Sequence, residues 1–125
     1  MITGTVSQNR AYVGLLVRSP NGQEGTVEFV LDTGFTGVTT LPAAACSAFG
    51  LPVVRLQPAR LADGSRIVLD VYEATLMWDG SERLVEVLAM DGAPLLGMAL
   101  LNGSDLRMRV TNGGLLTITP IPQPP

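Results

Sequence analysis

Phe29-Val30-Leu31-Asp32-Thr33-Gly34-Phe35-Thr36-Gly37 reads as a strand that ends on a carboxylate and breaks at once into a turn. Side chains alternate along a strand with period two, so Val27, Phe29 and Leu31 share one face and Glu28 and Val30 the other. Carried one residue further, the alternation puts Asp32 on the side of Glu28 and Val30, away from Phe29. Burying an unpaired carboxylate is costly, and the sequence delivers this one at a strand end on the less apolar side. Asp and Gly are also ordinary turn formers. The surrounding chain has to decide between a plain strand end and a chemical site.

Upstream, Ala11–Val17 runs into Pro20-Asn21-Gly22 and returns through Thr26–Leu31. Asn-Gly is a strong hairpin signal because both positions tolerate positive φ. Downstream, Asp63-Gly64, Asp79-Gly80 and Asp91-Gly92 punctuate the second half. Val53–Leu61 is expected to pair with Arg66–Tyr72 across Asp63-Gly64, and Glu82–Met90 alternates as a further strand. Leu106–Val110 and Leu115–Thr119 form a last hairpin around Asn112-Gly113-Gly114. Two helices are expected: one over Pro42–Phe49, stopped by Gly50, and a short one from Gly97, stopped by Gly103. The pattern predicts an all-β fold, a small, mostly antiparallel barrel, closed or partly open, with one or two short helices. A chain of 125 residues suits one core. The domain is expected over residues 1–119, followed by a Pro-rich tail over residues 120–125.

Composition excludes most chemistries. The chain is 46% hydrophobic and 15% charged, which excludes disorder as the default. Every basic residue is Arg, and there is no Lys and no His. Ser-His-Asp and Cys-His arrangements lack their base, Schiff-base chemistry lacks its amine, and no phosphate-binding GxxxxGK[ST] loop exists. With no His and only Cys46, no metal site and no cofactor are expected. Cys46 reads as a small buried hydrophobe, and one cysteine asks for no oxidising compartment. The eight scattered Arg residues and the net charge of −3 give no clustered basic face, so no nucleic-acid partner is expected. Residues 35–54 are uncharged but broken by Gly37, Pro42, Gly50 and Pro52, so no membrane span is expected. No basic-then-apolar leader opens the chain, and a cytoplasmic location is the expectation.

Asp32-Thr33-Gly34 behind an apolar strand resembles the catalytic loop of the retropepsin-like (clan AA) aspartic peptidases, in the single-motif form with Phe after the Asp-Thr-Gly. Ala62-Asp63-Gly64-Ser65 falls where that family carries its flap. Pro94-Leu95-Leu96-Gly97 with Met98-Ala99-Leu100-Leu101 is similar to its apolar-apolar-Gly segment and short helix. The order covers residues from about 10 to 119. Retroviral members carry a small residue where this chain has Phe35, and an Arg where it has Met98.

The resemblance implies an aspartic endopeptidase acting on a peptide or protein substrate. Asp32, Thr33 and Gly34 would form the catalytic loop, and Ala62, Asp63, Gly64 and Ser65 a mobile substrate-covering flap. The chemistry takes one carboxylate as base and one as acid, and this chain has one such motif. A homodimer is therefore implied, with two copies of Asp32 meeting on a twofold axis. Two unit charges about 3 Å apart repel by roughly 5 kcal/mol at an effective dielectric near 20, so the pair would hold a single proton. A catalytically silent peptide-binding or assembly module is the alternative, motivated by Phe35 and Met98. A weaker third reading pairs Asp32 with Glu28 or Asp105 in a glycan hydrolase.

Overall fold

Turn chemistry divides the chain into short extended runs, described over residues 1–124 in a computed structural model. In chain order the elements are β1 (Ile2–Ser7), β2 (Arg10–Arg18), β3 (Glu24–Leu31), β4 (Thr39–Leu41), α1 (Ala43–Phe49), β5 (Val53–Arg60), β6 (Arg66–Trp78), β7 (Ser81–Ala89), β8 (Leu95–Leu96), α2 (Met98–Leu101), β9 (Ser104–Met108) and β10 (Leu115–Pro120). These strands make one sheet in the order β5-β6-β7-β4-β8-β3-β2-β1-β10-β9. A further pairing of β2 with β6, Val17 opposite Leu76 and Arg18 opposite Thr75, joins the central strands into a ring. The result is the expected small barrel, partly closed, with β5 and the β1-β10-β9 group as flanks. Pairing is antiparallel except for β3 with β8 and β4 with β7.

The ring encloses the inward residues of each strand: Val13 and Val17, Phe29, Leu76, Val87 and Leu96 are all buried. Burying each such side chain contributes about 1.5–3 kcal/mol, and this apolar filling holds the ring together. The side chain of Arg18 bonds Glu24 at 3.1 Å and Glu82 at 2.5 Å beside the closure, but all three side chains are substantially exposed. Ion pairs in such exposed positions contribute little to stability.

Local structure departs from the sequence reading in two places, the Asn21-Gly22 turn and the bounds of the final hairpin. Asn21 does not take positive φ; Gly22 alone does, at 87°. The loop is longer than a two-residue turn, closed by Ser19 N–H donating to the Gln23 carbonyl at 2.8 Å, and Asn21 Oδ1 accepts from Gln23 N at 3.0 Å. Asn21 thus serves through its side chain rather than its backbone. Paired positive φ values occur instead at Gln8-Asn9 and Asp79-Gly80, where β1 meets β2 and β6 meets β7. Asp91-Gly92 makes no hairpin: it leads from β7 to β8, and β4 lies between them. The final hairpin is shifted as well. β9 ends at Met108, short of Val110, and β10 continues to Pro120, which pairs with Ser104.

Both expected helices form. α1 follows Pro42 and stops where Gly50 turns left-handed at φ 70°. Cys46 lies on its inner side at 0% exposure, and burial pushes the thiol up from 9.0 to about 11. A rise of two units leaves about 100-fold less thiolate, the reactive form. The native protein is expected to react with a disulfide reagent at pH 8 about 100-fold more slowly than the urea-unfolded chain. Equal rates in both states would show that Cys46 is accessible.

Candidate active site

Asp32 is the first residue after β3, and two-residue β8 decides where it goes. Leu95 and Leu96 pair in parallel with Val30 and Leu31, and Leu96 also lies opposite Thr39 of β4. β8 is thus wedged between β3 and β4, and residues 32–38 have to pass around its end. Backbone bonds fasten that passage. Asp32 N donates to the Leu96 carbonyl at 2.9 Å, Gly97 N to Val38 at 2.9 Å, Met98 N to Phe35 at 2.8 Å and Ala99 N to Gly37 at 3.1 Å. Buried Thr40 adds its Oγ1 as acceptor for Leu95 N at 3.0 Å.

Within the loop, Phe35 N donates to the Asp32 carbonyl at 3.1 Å, and Asp32 Oδ1 accepts from Gly34 N at 2.9 Å. The carboxylate is therefore oriented by its own turn. Asp32 is half-buried, while Thr33 and Gly34 are exposed. Phe35 and Met98, the two departures from the retroviral pattern, have a structural account. The Phe35 ring folds back over Gly37 and Gly97, where an added Cβ would lie 2.5 and 2.6 Å from ring carbons. Small residues at 37 and 97 thus make room for a large one at 35. Met98 braces the loop through its backbone N–H, while its side chain is half exposed.

Ala62, Asp63, Gly64 and Ser65 form the tip of the β5–β6 hairpin, and all four are exposed. The tip is closed by Leu61 N donating to Ser65 at 2.8 Å and Gly64 N to Leu61 at 2.9 Å. Asp63 Oδ1 accepts from Ser65 N at 2.9 Å and Ser65 Oγ at 2.6 Å, which holds its carboxyl below the usual range. The structure thus brings Asp32, Thr33 and Gly34 together in one loop and puts Ala62–Ser65 in another. Among the described residues no hydrogen bond joins the two.

A cavity of about 250 Å³ lies between the far side of the Asp32 loop and the root of that hairpin. Phe35, Val38, Val71 and Leu88 give it apolar wall, and Arg55 and Glu86 give it charge. These two are paired side-on, Arg55 Nε to Glu86 Oε2 at 2.6 Å and Nη2 to Oε1 at 3.1 Å. The guanidinium draws the Glu86 carboxyl below its usual range. Sequence reading did not single out the pair. The available signal was the alternation of β7, where Glu86 stands between buried Val85 and Val87 and must face outward. A larger hollow, about 620 Å³, lies over Thr3, Thr5, Tyr12, Gly14 and Glu28 on the β1–β2–β3 surface and includes no residue of the 32–38 loop.

Glu28 is four residues before Asp32, about 13 Å along a strand, which exceeds the roughly 5–9.5 Å between paired glycosidase carboxylates. Asp105 is exposed on β9, the sheet edge opposite β5. Among the described residues, no helix is long and apolar enough to cross a membrane.

Among solved structures, the chain is similar to a retropepsin-like aspartic protease from Rickettsia conorii. The TM-score is 0.58 at 16% sequence identity, over 94% of this chain and 90% of that one. No protein-family profile matches the sequence, and no curated protein matches it. The fold is therefore the retropepsin-like one, at a sequence identity of 16% to this neighbour.

Proposed function

We propose that the chain is a homodimeric aspartic endopeptidase in which two copies of Asp32 share one proton and activate water against a peptide bond. One observation carries this reading: within a retropepsin-like fold, Asp32 heads a loop wrapped around β8 and tied by backbone bonds to residues 96–99. Such a loop holds a carboxylate at a fixed position without a His or Lys to assist it. One Asp32 takes a proton from water while its partner protonates the substrate carbonyl oxygen, and the roles reverse as the amine leaves. Gly34 N–H, bonded to Oδ1, fixes the plane of each carboxylate. Among the described residues the exposed Thr33 hydroxyl makes no hydrogen bond, which leaves it available to the partner's loop. The Ala62–Ser65 tip acts as the flap: an exposed hairpin fastened only at its root can close over an extended peptide and exclude water. The substrate backbone would add to the sheet as a further strand. We place the domain over residues 1–119 and the Pro-rich tail over residues 120–125, of which Pro125 lies outside the described residues; Pro120 still pairs in β10, and Ile121 N donates to the Gly103 carbonyl at 2.9 Å.

The reading requires two chains per site. Specific peptidase activity is expected to fall with dilution in step with the dimer fraction measured by sedimentation, and a pepstatin-like inhibitor should restore the dimer. Undiminished specific activity in a fully monomeric sample would refute it.

A further inference from the structure

The cavity beside the Asp32 loop has a property that its size and wall make chemically specific. At about 250 Å³ it lies below the roughly 300–1,000 Å³ that takes a whole small-molecule ligand, and suits one side chain. It opens within a few residues of Asp32, since Phe35 and Thr36 belong to both loop and wall. Its remaining wall comes from the hairpin root, Arg55 and Val71 lying opposite each other on β5 and β6, and Val71 opposite Leu88 of β7. Arg55 and Glu86 reach each other across β6 and meet at this wall, two bonds between one planar fork and one carboxylate. Both side chains are nearly half exposed, so the pair is a weak contributor to folding. Its larger effect is on what enters the cavity.

We propose that Arg55 and Glu86 are specificity-determining residues that make this cavity a pocket for an uncharged substrate side chain with an apolar stem, and that each masks the other against charged ones. The proposal rests on the peptidase reading above. An apolar stem meets Val38, Val71 and Leu88, and the ion pair presents no net charge. An acidic side chain reaching the remaining N–H groups of Arg55 would bring its carboxylate up against Glu86, and a basic side chain reaching Glu86 would come up against Arg55, so each meets a like charge beside the opposite one. Discrimination against charge is then built from repulsion as much as attraction. Removing either member unmasks the other. Glu86→Gln frees the guanidinium and should admit Asp or Glu. Arg55→Gln frees the carboxylate and should admit Lys or Arg.

The test is digestion of a peptide library by the full-length wild type, E86Q and R55Q, with cleavage products read by mass spectrometry. In parallel, the same two substitutions in the Asp32→Asn background are titrated with peptides that differ only by Leu, Glu or Lys at one position. Wild type should prefer uncharged residues at the position beside the scissile bond. Each single variant should shift the relevant charged-to-uncharged ratio about three- to tenfold, in opposite senses, the range expected of one partly exposed ion pair. An equal loss on all peptides with no exchange of preference would overturn the proposal, since the pair would then only clamp the hairpin root. Absence of cleavage by every form would count against the peptidase alone, because the binding titrations still decide whether the preferences exchange.

Discussion

Asp32→Asn is expected to lower kcat/KM for peptide cleavage by about 10²–10⁴-fold at every pH from 4 to 7, the usual contribution of a positioned proton-transfer group. The exchange is nearly isosteric, and the amide oxygen can still accept from Gly34 N. Asp32 is only half-buried, and its backbone bonds to Leu96 and Phe35 do not involve the side chain. Thermal stability should therefore stay close to wild type while turnover is lost from both protomers together. Two amides cannot take a proton from water, whatever the pH. A variant that folds, dimerises and cleaves at the wild-type rate would remove Asp32 from the chemistry. If neither form cleaves but both bind the same peptides with the same affinity, the silent binding module replaces the enzyme.

Gly97→Ala is expected to cost the loop region a large share of its stability through a single added methyl group. A Cβ at that position would lie 2.1 Å from the Gly37 carbonyl oxygen and 2.8 Å from that of Phe35. Both obstacles are backbone, and both carbonyls already accept bonds from Ala99 and Met98. The clash cannot be relieved by rotating a side chain, so β8 and the loop have to separate. Overpacking of this kind costs about 1–3 kcal/mol or more, which corresponds to a fall in Tm of roughly 5–12 °C for a domain this size. The backbone φ is −103°, so the penalty comes from close approach and not from a left-handed conformation. Gly14→Ala supplies the control, because its nearest neighbour would be a Thr26 methyl at 3.6 Å, an ordinary contact. The pair of variants is compared by calorimetry. Equal Tm values for both would mean that the loop is not pressed against residues 96–99.

Both variants concern a loop whose carboxylate was legible in the sequence and whose support was only partly so. Val27, Phe29 and Leu31 alternated clearly against Glu28 and Val30, and the folded strand keeps that division, with Phe29 buried and Glu28 exposed. The Asp63-Gly64 hairpin was equally visible, because Arg60 pairs with Arg66 across the expected turn. β4 and β8 were not read as strands. With three and two residues, they have no period to detect, and they exist because neighbours on both sides supply their hydrogen bonds. The β2–β6 closure was hidden for a related reason: Val17 and Leu76 meet only because each has an apolar face that the ring can bury. Arg55 and Glu86 likewise occupy outward positions on separate strands, and outward charges look alike until the strands are side by side.

The wedge of β8 between β3 and β4 also sets an order of events during synthesis. Asp32 leaves the ribosome well before Leu95–Ala99, the residues that hold its loop in place. At about 5–20 residues per second, the acidic turn spends several seconds without that scaffold. Parallel pairing between such distant segments is slow to form as well. A growing polypeptide therefore carries its carboxylate in an unshaped state until residues 95–99 have emerged, so topology itself delays the assembly of the acidic turn.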